Sequence, residues 1–391
     1  MIDLQQIKNS RVIVRVDYNI PVKNGQITDF TRIRKSIPTL QLLLQNQNKV
    51  TICSHLGRPD LTQPLDSEHN QKLSFQLLID QISKEINLPI QFISNYPSSD
   101  LQIAIQNQPP NQVLLLENTR FHPEEEQNQD SFCQSLASHF DYFVFDAFGT
   151  AHRKHATTFG LAENLPSTLG LLVQDEVQGL DLGIKNPQKP LTIILGGAKI
   201  KTKIGVIKSF LNQADYICIG GALANTFLDA VGYELGQSLI EKEETNTAIQ
   251  IINQAKKSNT ELILPIDLIT TSGQSKSAID FTPNDNALDI GPLSISRIEN
   301  IIKDSQTIIF NGPMGVYQNN LYSQGSEKIL NSIAKNKQTT ILGGGDTLDA
   351  LTKFAIDPNK FTHVSTGGGA MLKYLEKGSL PVIEYITSQK S

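Results

Sequence analysis

In the first half of the chain, charged and imidazole side chains gather at the ends of apolar runs. Asp17 and Asn19 follow "RVIVRV", His55 and Arg58 follow "KVTIC", and Arg120 and His122 follow "QVLLLENT". Asp146, His152 and Arg153 follow "DYFVF". Six of the seven histidines (His55, His69, His122, His139, His152 and His155) precede residue 160. Guanidinium groups grip phosphate and carboxylate oxygens two at a time, so such a cluster suits a small, multiply anionic substrate. In the second half the runs end in glycine instead: Gly196-Gly197, Gly220-Gly221, Gly312, Gly343 to Gly345 and Gly367 to Gly369. A glycine triplet costs backbone entropy and gives up side-chain packing. "TILGGGDT" and "HVSTGGGAML" therefore imply that something comes very close to the main chain. Glycine turns that open helices offer backbone N–H groups and a positive dipole end, which suits nucleotide phosphates. Tight helix–strand packing is the plainer reading of any one pair. Five such turns in one half favour phosphate.

Neither GxxxxGK[ST] nor GxGxxG occurs, which counts against a P-loop NTPase and an ordinary dinucleotide fold. Lysine comes instead from "GGAKIKTKIG". If a helix begins near Lys199, then Lys199 and Lys203 share one face and Lys201 points elsewhere. A lone Lys pair is usually a solvated face; directly after a strand and two glycines it is expected to meet an anion. The run Glu124 to Glu126 reads as a solvated first helical turn favoured by the helix dipole.

These groups need a scaffold that collects strand ends. Continuous apolar, β-branched runs such as "KVTIC", "PLTIIL", "DYICI" and "QTIIF" suggest strands buried on both faces. Amphipathic stretches such as "TRIRKSIPTLQLLLQN" and "DTLDALTKFA" lie between them, and strand–helix alternation means a parallel sheet covered by helices. "PVKNGQIT" interrupts the pattern with an Asn24-Gly25 hairpin turn. In open parallel sheets, ligands bind beyond the carboxyl ends of the strands. At 391 residues, and about 150 per domain, two domains are expected. "LLVQDEVQGLDLGIKNPQKP" at 171–190, a helix closing at Pro187 and Pro190, is the expected linker between 1–170 and 191–375.

Composition narrows the partners. With 39% hydrophobic and 19% charged residues the chain is ordinary for a globular protein. A net charge of −5 argues against a general nucleic-acid or membrane-surface binder. Cys53, Cys133 and Cys218 lie far apart with no CxxC pair, as buried thiols rather than a disulfide framework or zinc site. "MIDLQQIKNSR" has no apolar signal region, and no apolar run approaches the roughly 18 residues of a membrane span. A soluble, cytoplasmic protein is expected.

The segments "RVDYN", "SHLGRP", "LLENTRFHPEEE", "DAFGTAHRKHATT", "GGAKIKTKI", "GGALANTF", "NGPMGV", "GGGDT" and "STGGGA" resemble the successive signatures of the phosphoglycerate kinase family. They stand in that family's order from residue 11 to about residue 383. The resemblance implies an α/β fold of two Rossmann-like, three-layer domains with mostly parallel sheets, bilobal with a hinge. The C-terminal tail, 376–391, would pack back on the first domain. It implies a monomer that transfers phosphate reversibly between ATP and the carboxylate of 3-phosphoglycerate, giving 1,3-bisphosphoglycerate and ADP, with Mg²⁺. By the same resemblance Asp17, Tyr18 and Asn19 belong to the substrate site, and Arg32 orients the reacting carboxylate. His55, Leu56, Gly57, Arg58, Arg120 and Arg153 would form the cradle for the substrate's existing phosphate. Gly197, Ala198, Gly220, Gly221 and Gly291 fall by the adenosine, with Asn311, Pro313, Val316 and Gln318 from "NGPMGVYQ". Asp346 would hold Mg²⁺ beside Gly343, Gly344, Gly345 and Thr347, although an Asp there also makes a good helix N-cap. Lys203 would contact the phosphate in transit, Lys199 would support it, and Gly367, Gly368 and Gly369 would cradle it. The segment 171–190 and "STGGGA" are the expected hinges.

That chemistry needs no general base, because a carboxylate nucleophile with a pKa near 4 is already ionised. Catalysis must come from positioning and electrostatic stabilisation. Three positions depart from the family's pattern: Gln318 where Glu usually contacts ribose, Phe145 where Asn commonly precedes Asp146, and Phe310 where Trp is frequent. The first bears on nucleotide affinity or preference. The rivals are a kinase for another small carboxylate such as acetate, aspartate or glutamate, a non-catalytic nucleotide-binding protein, and an NAD-dependent dehydrogenase.

Overall fold

Each apolar run that ends in charged groups becomes a buried strand. In the computed structural model, which describes residues 2–389, the first sheet takes β1 (Arg11–Val16), β2 (Lys49–Cys53), β3 (Ile90–Ile93), β4 (Val113–Leu116), β5 (Tyr142–Asp146) and β6 (Ser167–Leu169). All six run parallel in the order β3-β4-β2-β1-β5-β6. β1 is central, with Val14 opposite Ile52 on one side and Val144 on the other. Val12, Ile13, Val14 and Val16 are completely buried, which is why the run is continuous rather than alternating. Helix Thr31–Gln45 covers one face through Ile33, Leu40 and Leu43. The Asn24-Gly25 turn has φ of 52° and 72°, the left-handed pair that a two-residue hairpin needs. β3 and β6, at the edges of the sheet, carry no long apolar run.

The chain divides into two compact units. One runs to Val177 and resumes at Ser379; the other is Gln178–Gly378. The boundary falls inside helix Leu171–Ile184, so that helix is shared in sequence by both. In the first unit, helix Pro381–Ser388 buries Val382, Ile383 and Ile386, and Val382 N–H donates to Ala151 O at 3.2 Å. The Tyr385 ring lies 5.1 Å from that of Phe159. Residues 390 and 391 of the expected tail lie outside the described residues.

The second unit repeats the logic with β7 (Leu191–Leu195), β8 (Tyr216–Ile219), β9 (Glu261–Ile263), β10 (Thr307–Asn311), β11 (Thr339–Gly343) and β12 (His363–Ser365). They form a parallel sheet in the order β9-β8-β7-β10-β11-β12. Ile194, Ile308, Phe310 and Leu342 lie at the centre of its core, so Phe310 has a packing role. "ELILPID" breaks at Pro265, which cannot donate to a sheet ladder. Its second half, Asp267–Thr270, joins an antiparallel sheet with Ser275–Ser277 and Ala287–Ile290. No helix among the described residues is long and apolar enough to cross a membrane.

Candidate active site

The loops after β2, β4 and β5 converge on a cavity of about 800 Å³ whose lining includes Arg58, Arg120, Arg153, His122, His155 and Glu126. Arg120 is nearly buried; its Nη1 donates to Gly57 O at 2.7 Å and its Nη2 pairs with Glu126 Oε1 at 2.9 Å. Burial lowers the pKa of Arg120 and Arg153. An arginine starts so high that both guanidiniums stay charged. Gly57 has φ of +61°, and a Cβ there would fall 2.6 Å from Leu73, so the loop requires glycine. The same residue donates its N–H to Asn19 Oδ1 at 2.9 Å. Gly57 thus joins the cavity to a second cluster, where Arg32 Nη1 donates to Asp17 Oδ1 at 3.1 Å and Asn19 O at 2.9 Å.

Of the expected substrate residues, Arg58, Arg120 and Arg153 line this cavity and Asp17, Asn19 and Arg32 form the second cluster, whereas Tyr18, Leu56 and His55 belong to neither group. Tyr18 is fully buried in the loop just after β1, its hydroxyl on Ser36 Oγ at 2.8 Å and its N–H donating to Ser54 Oγ at 2.8 Å. Leu56 is buried and held through both backbone groups by the Asn118 side chain. His55 adds no positive charge. Burial, then the neighbouring guanidiniums beginning with Arg15, lower its pKa well below the usual value.

Beneath the cavity lies a group that the motifs did not reveal. Arg15 and Glu125 are buried and paired at 3.2 Å. Arg15 also reaches His55 Nδ1 at 3.0 Å, Thr119 Oγ1 at 3.3 Å and Thr157 Oγ1. Glu125 accepts from Thr157 N–H at 2.9 Å and Thr157 Oγ1 at 2.7 Å. One guanidinium on the central strand therefore ties together the three loops that carry Arg58, Arg120 and Arg153. The expected solvated turn at Glu124 to Glu126 is corrected: the helix is only Pro123–Gln127, and its middle glutamate points inward. The available signal was an Arg inside the otherwise apolar "RVIVRV".

In the second unit two adjoining cavities, of about 400 and 360 Å³, share Gly197, Ala198 and Asp346. The first is walled by Gly221, Pro313, Val316, Gln318 and Leu239. Its floor is main chain against main chain. Gly197 N–H donates to Pro313 O at 2.7 Å, and Gly221 N–H donates to Met314 O at 2.8 Å. A Cβ on Gly221 would lie 2.7 Å from Gly197 N, and one on Gly312 would lie 2.6 Å from Gly196 O. Gly220 N–H is likewise taken by Leu195 O, and Gly220 does not line either cavity. At these turns close packing, the plainer reading, accounts for the glycines.

The triplets behave differently. Gly343 is buried at the end of β11, its carbonyl accepting from Asn311 Nδ2 at 2.6 Å. Gly367 is buried and donates to Ser365 Oγ at 3.1 Å. The second and third glycines of each triplet line the 360 Å³ cavity, where helices Gly345–Lys353 and Gly369–Lys377 begin without any side-chain cap. A helix leaves its first N–H groups unpaired, so two anion-binding ends open into one space. Asp346 is the second residue of its helix, exposed, and not the cap. Thr347 Oγ1 accepts from Gly312 N–H at 2.9 Å.

Lys199 and Lys203 both line this cavity but do not share a helix face. Ile200–Thr202 is a 3₁₀ turn, and the α-helix starts only at Ile204. The backbone is extended at Lys199, and Glu241 holds Ile200 N–H at 2.6 Å. Lys199 is exposed, whereas Lys203 is buried and its pKa falls to about 8 through burial, partly opposed by Asp346. Gly291 lies away from both cavities. It precedes helix Pro292–Asp304, whose first N–H groups already donate to Asp267 at 2.8–3.0 Å. Motifs could not have located Leu239, which is 59% exposed and lines the same cavity as Val316, itself 43% exposed.

Two parallel α/β units, one with a guanidinium-lined cavity and one with a buried lysine between two open helix starts, define an α/β phosphotransferase. A sequence model of phosphoglycerate kinase matches residues 1–378, and the chain is 40% identical over 389 residues to the phosphoglycerate kinase of Finegoldia magna, covering 97% of each. The chain belongs to the phosphoglycerate kinase family. It is also 40% identical over 385 residues to the phosphoglycerate kinase of Dictyoglomus turgidum, covering 96% of this chain and 95% of that one. The solved phosphoglycerate kinase from Coxiella burnetii superposes with a TM-score of 0.87 at 36% identity, covering 97% of this chain and 96% of that one.

Proposed function

We propose that this chain transfers a phosphoryl group reversibly between ATP and the carboxylate of 3-phosphoglycerate, giving 1,3-bisphosphoglycerate and ADP. Beyond membership of the family, the observation that carries the reading is Lys203, a buried cation in a cavity that two uncapped helix starts share. Arg58, Arg120 and Arg153 hold the substrate's phosphate. Arg32 turns its carboxylate, with Asp17 and Asn19 at the hydroxyl end. The apolar faces of Leu239 and Val316 enclose the base. Lys203 and the N–H groups at Gly368 and Gly369 meet the phosphoryl group as charge spreads over its oxygens. A pseudoenzyme would have no need of a cation buried there.

Among the described residues no three His, Cys, Asp or Glu side chains gather as a self-sufficient metal site. That suits Mg²⁺, which is commonly held by one carboxylate with phosphate oxygens and water. Asp346, exposed at the edge shared by both cavities, is the carboxylate that would hold it. When bound, the ion neutralises phosphate charge. We take the enzyme to act as a monomer in the cytoplasm; three free, buried cysteines fit a reducing compartment.

A coupled assay with Mg-ATP tests the reading directly. Turnover with 3-phosphoglycerate is expected; turnover with acetate, aspartate or glutamate in its place would replace it by another carboxylate kinase. Arg58→Ala or Arg153→Ala should raise KM for 3-phosphoglycerate about ten- to a hundredfold and leave KM for ATP nearly unchanged. A charge-assisted hydrogen bond is worth about 1.5–3 kcal/mol, and these residues belong to a different unit from the nucleotide cavity. The converse pattern would reassign the two units.

Gln318 sits exposed on the rim of the nucleotide cavity, its backbone carbonyl accepting from Lys353 Nζ at 2.8 Å. A neutral amide accepts about half as strongly as a carboxylate. Gln318→Glu is therefore expected to lower KM for ATP several-fold with kcat within about twofold, since ribose contacts act equally in ground and transition states. Steady-state kinetics at saturating 3-phosphoglycerate measure both constants. A KM for ATP that stays level or rises would show Gln318 to be suited to another nucleotide pose.

A further inference from the structure

Arg120 lines the 800 Å³ cavity with both terminal nitrogens already engaged. Nη1 is committed to Gly57 O at 2.7 Å, and Nη2 is paired with Glu126 Oε1 at 2.9 Å. The two partners differ in freedom: the Arg120 side chain is 9% exposed and that of Glu126 is 58% exposed. The guanidinium is fixed and the carboxylate is the part able to leave. Glu126 lines the same cavity, so a carboxylate sits inside an anion site and engages one terminal nitrogen of its arginine. Its neighbours on the short helix do otherwise. Glu125 is buried against Arg15, and Glu124 is not among the cavity's lining residues.

We propose that Glu126 is a resident counter-ion that competes with the acceptor's phosphate for Arg120 and thereby sets the affinity of the cavity. An entering phosphate competes with the carboxylate for Nη2, and a departing one leaves that nitrogen to it. Every anion meets the same displacement cost, so weakly held anions fall below useful occupancy while a phosphate that also reaches Arg58 and Arg153 is retained and still exchanges. Glu126 is thus an affinity-setting residue for the acceptor. The proposal rests on the reading that this cavity holds the phosphate of 3-phosphoglycerate.

Kinetics of Glu126→Gln test it, with inorganic phosphate as a second probe, inhibiting competitively against 3-phosphoglycerate. Both KM for 3-phosphoglycerate and the inhibition constant for phosphate should fall about two- to fivefold, the range for an ion pair with one exposed partner. Glu124→Gln makes the same charge change one helix position away from the buried glutamate and should move either constant much less. In an Arg120→Ala background, Glu126→Gln should have no further effect on either constant. A raised or unchanged KM in Glu126→Gln overturns the proposal, because the carboxylate would then be positioning Arg120 or idle. Equal effects of the two glutamate variants overturn it in favour of diffuse charge. If Arg120→Ala itself leaves KM for 3-phosphoglycerate untouched, the assignment of the cavity fails, and the proposal with it.

Discussion

Lys203→Ala should lower kcat by about two to three orders of magnitude, with only modest changes in KM for ATP and 3-phosphoglycerate. Removal of one preorganised donor aimed at developing charge typically costs about 10²–10³ in rate. Lys203 fits that description: it is buried, and it opens onto the same space as two helix starts. Its charge is held there against its surroundings, since burial lowers its pKa to about 8. An interaction made chiefly in the transition state appears in kcat rather than in KM. Because burial disfavours the charged amine, its removal should not weaken the fold, and a well-folded, slow enzyme isolates the chemical step. Steady-state kinetics beside a melting curve give both readings. A kcat within a few-fold of the parent would make Lys203 a bystander.

Arg15→Leu should destabilise the first unit by about 3–5 kcal/mol, the usual cost of leaving one buried charge without its partner. Glu125 would be stranded with Thr157 as its main remaining support. The double change Arg15→Met with Glu125→Leu should recover most of the loss, because well-packed apolar groups of similar volume often replace a buried ion pair at no cost. Recovery of stability should not restore the site. His55, Thr119 and Thr157 would still lack their common anchor, and KM for 3-phosphoglycerate should stay raised while that for ATP does not. Urea denaturation followed by a probe in each unit separates the transitions. A single-variant loss under about 1 kcal/mol would mean that Glu125 finds water or a proton easily.

The strand ends were legible because a strand buried on both faces shows an unbroken apolar run, and the first polar residue after it marks the rim. That is how the residue pattern alone places Arg58, Arg120, Arg153 and Lys203 near anions. The burial of Tyr18 was not legible, since it lies in the loop beyond the end of β1 and is held by Ser36 and Ser54 from elsewhere in the chain. Neither was that of Glu125. Three consecutive glutamates look alike in sequence, and what buries the middle one is a guanidinium 110 residues earlier. Nor could a pattern tell which glycines carry open N–H groups. Gly197 and Gly368 look equivalent as letters, yet the first donates to Pro313 O and the second opens a helix into a cavity. Leu239 joins the nucleotide wall from a segment with no motif at all, through tertiary placement alone.

The nucleotide floor carries a consequence for how such an enzyme can change. At Gly196, Gly221 and Gly312 a single added carbon would collide with backbone atoms less than 3 Å away, and backbone cannot step aside as a side chain can. Those positions offer inheritance no intermediate steps. Any drift toward another base or sugar must be written in the rim, at Leu239, Val316 and Gln318, whose side chains are exposed and free to vary one at a time. The site is divided into a part closed to evolutionary search and a part left open to it, and the departure at Gln318 falls in the open part.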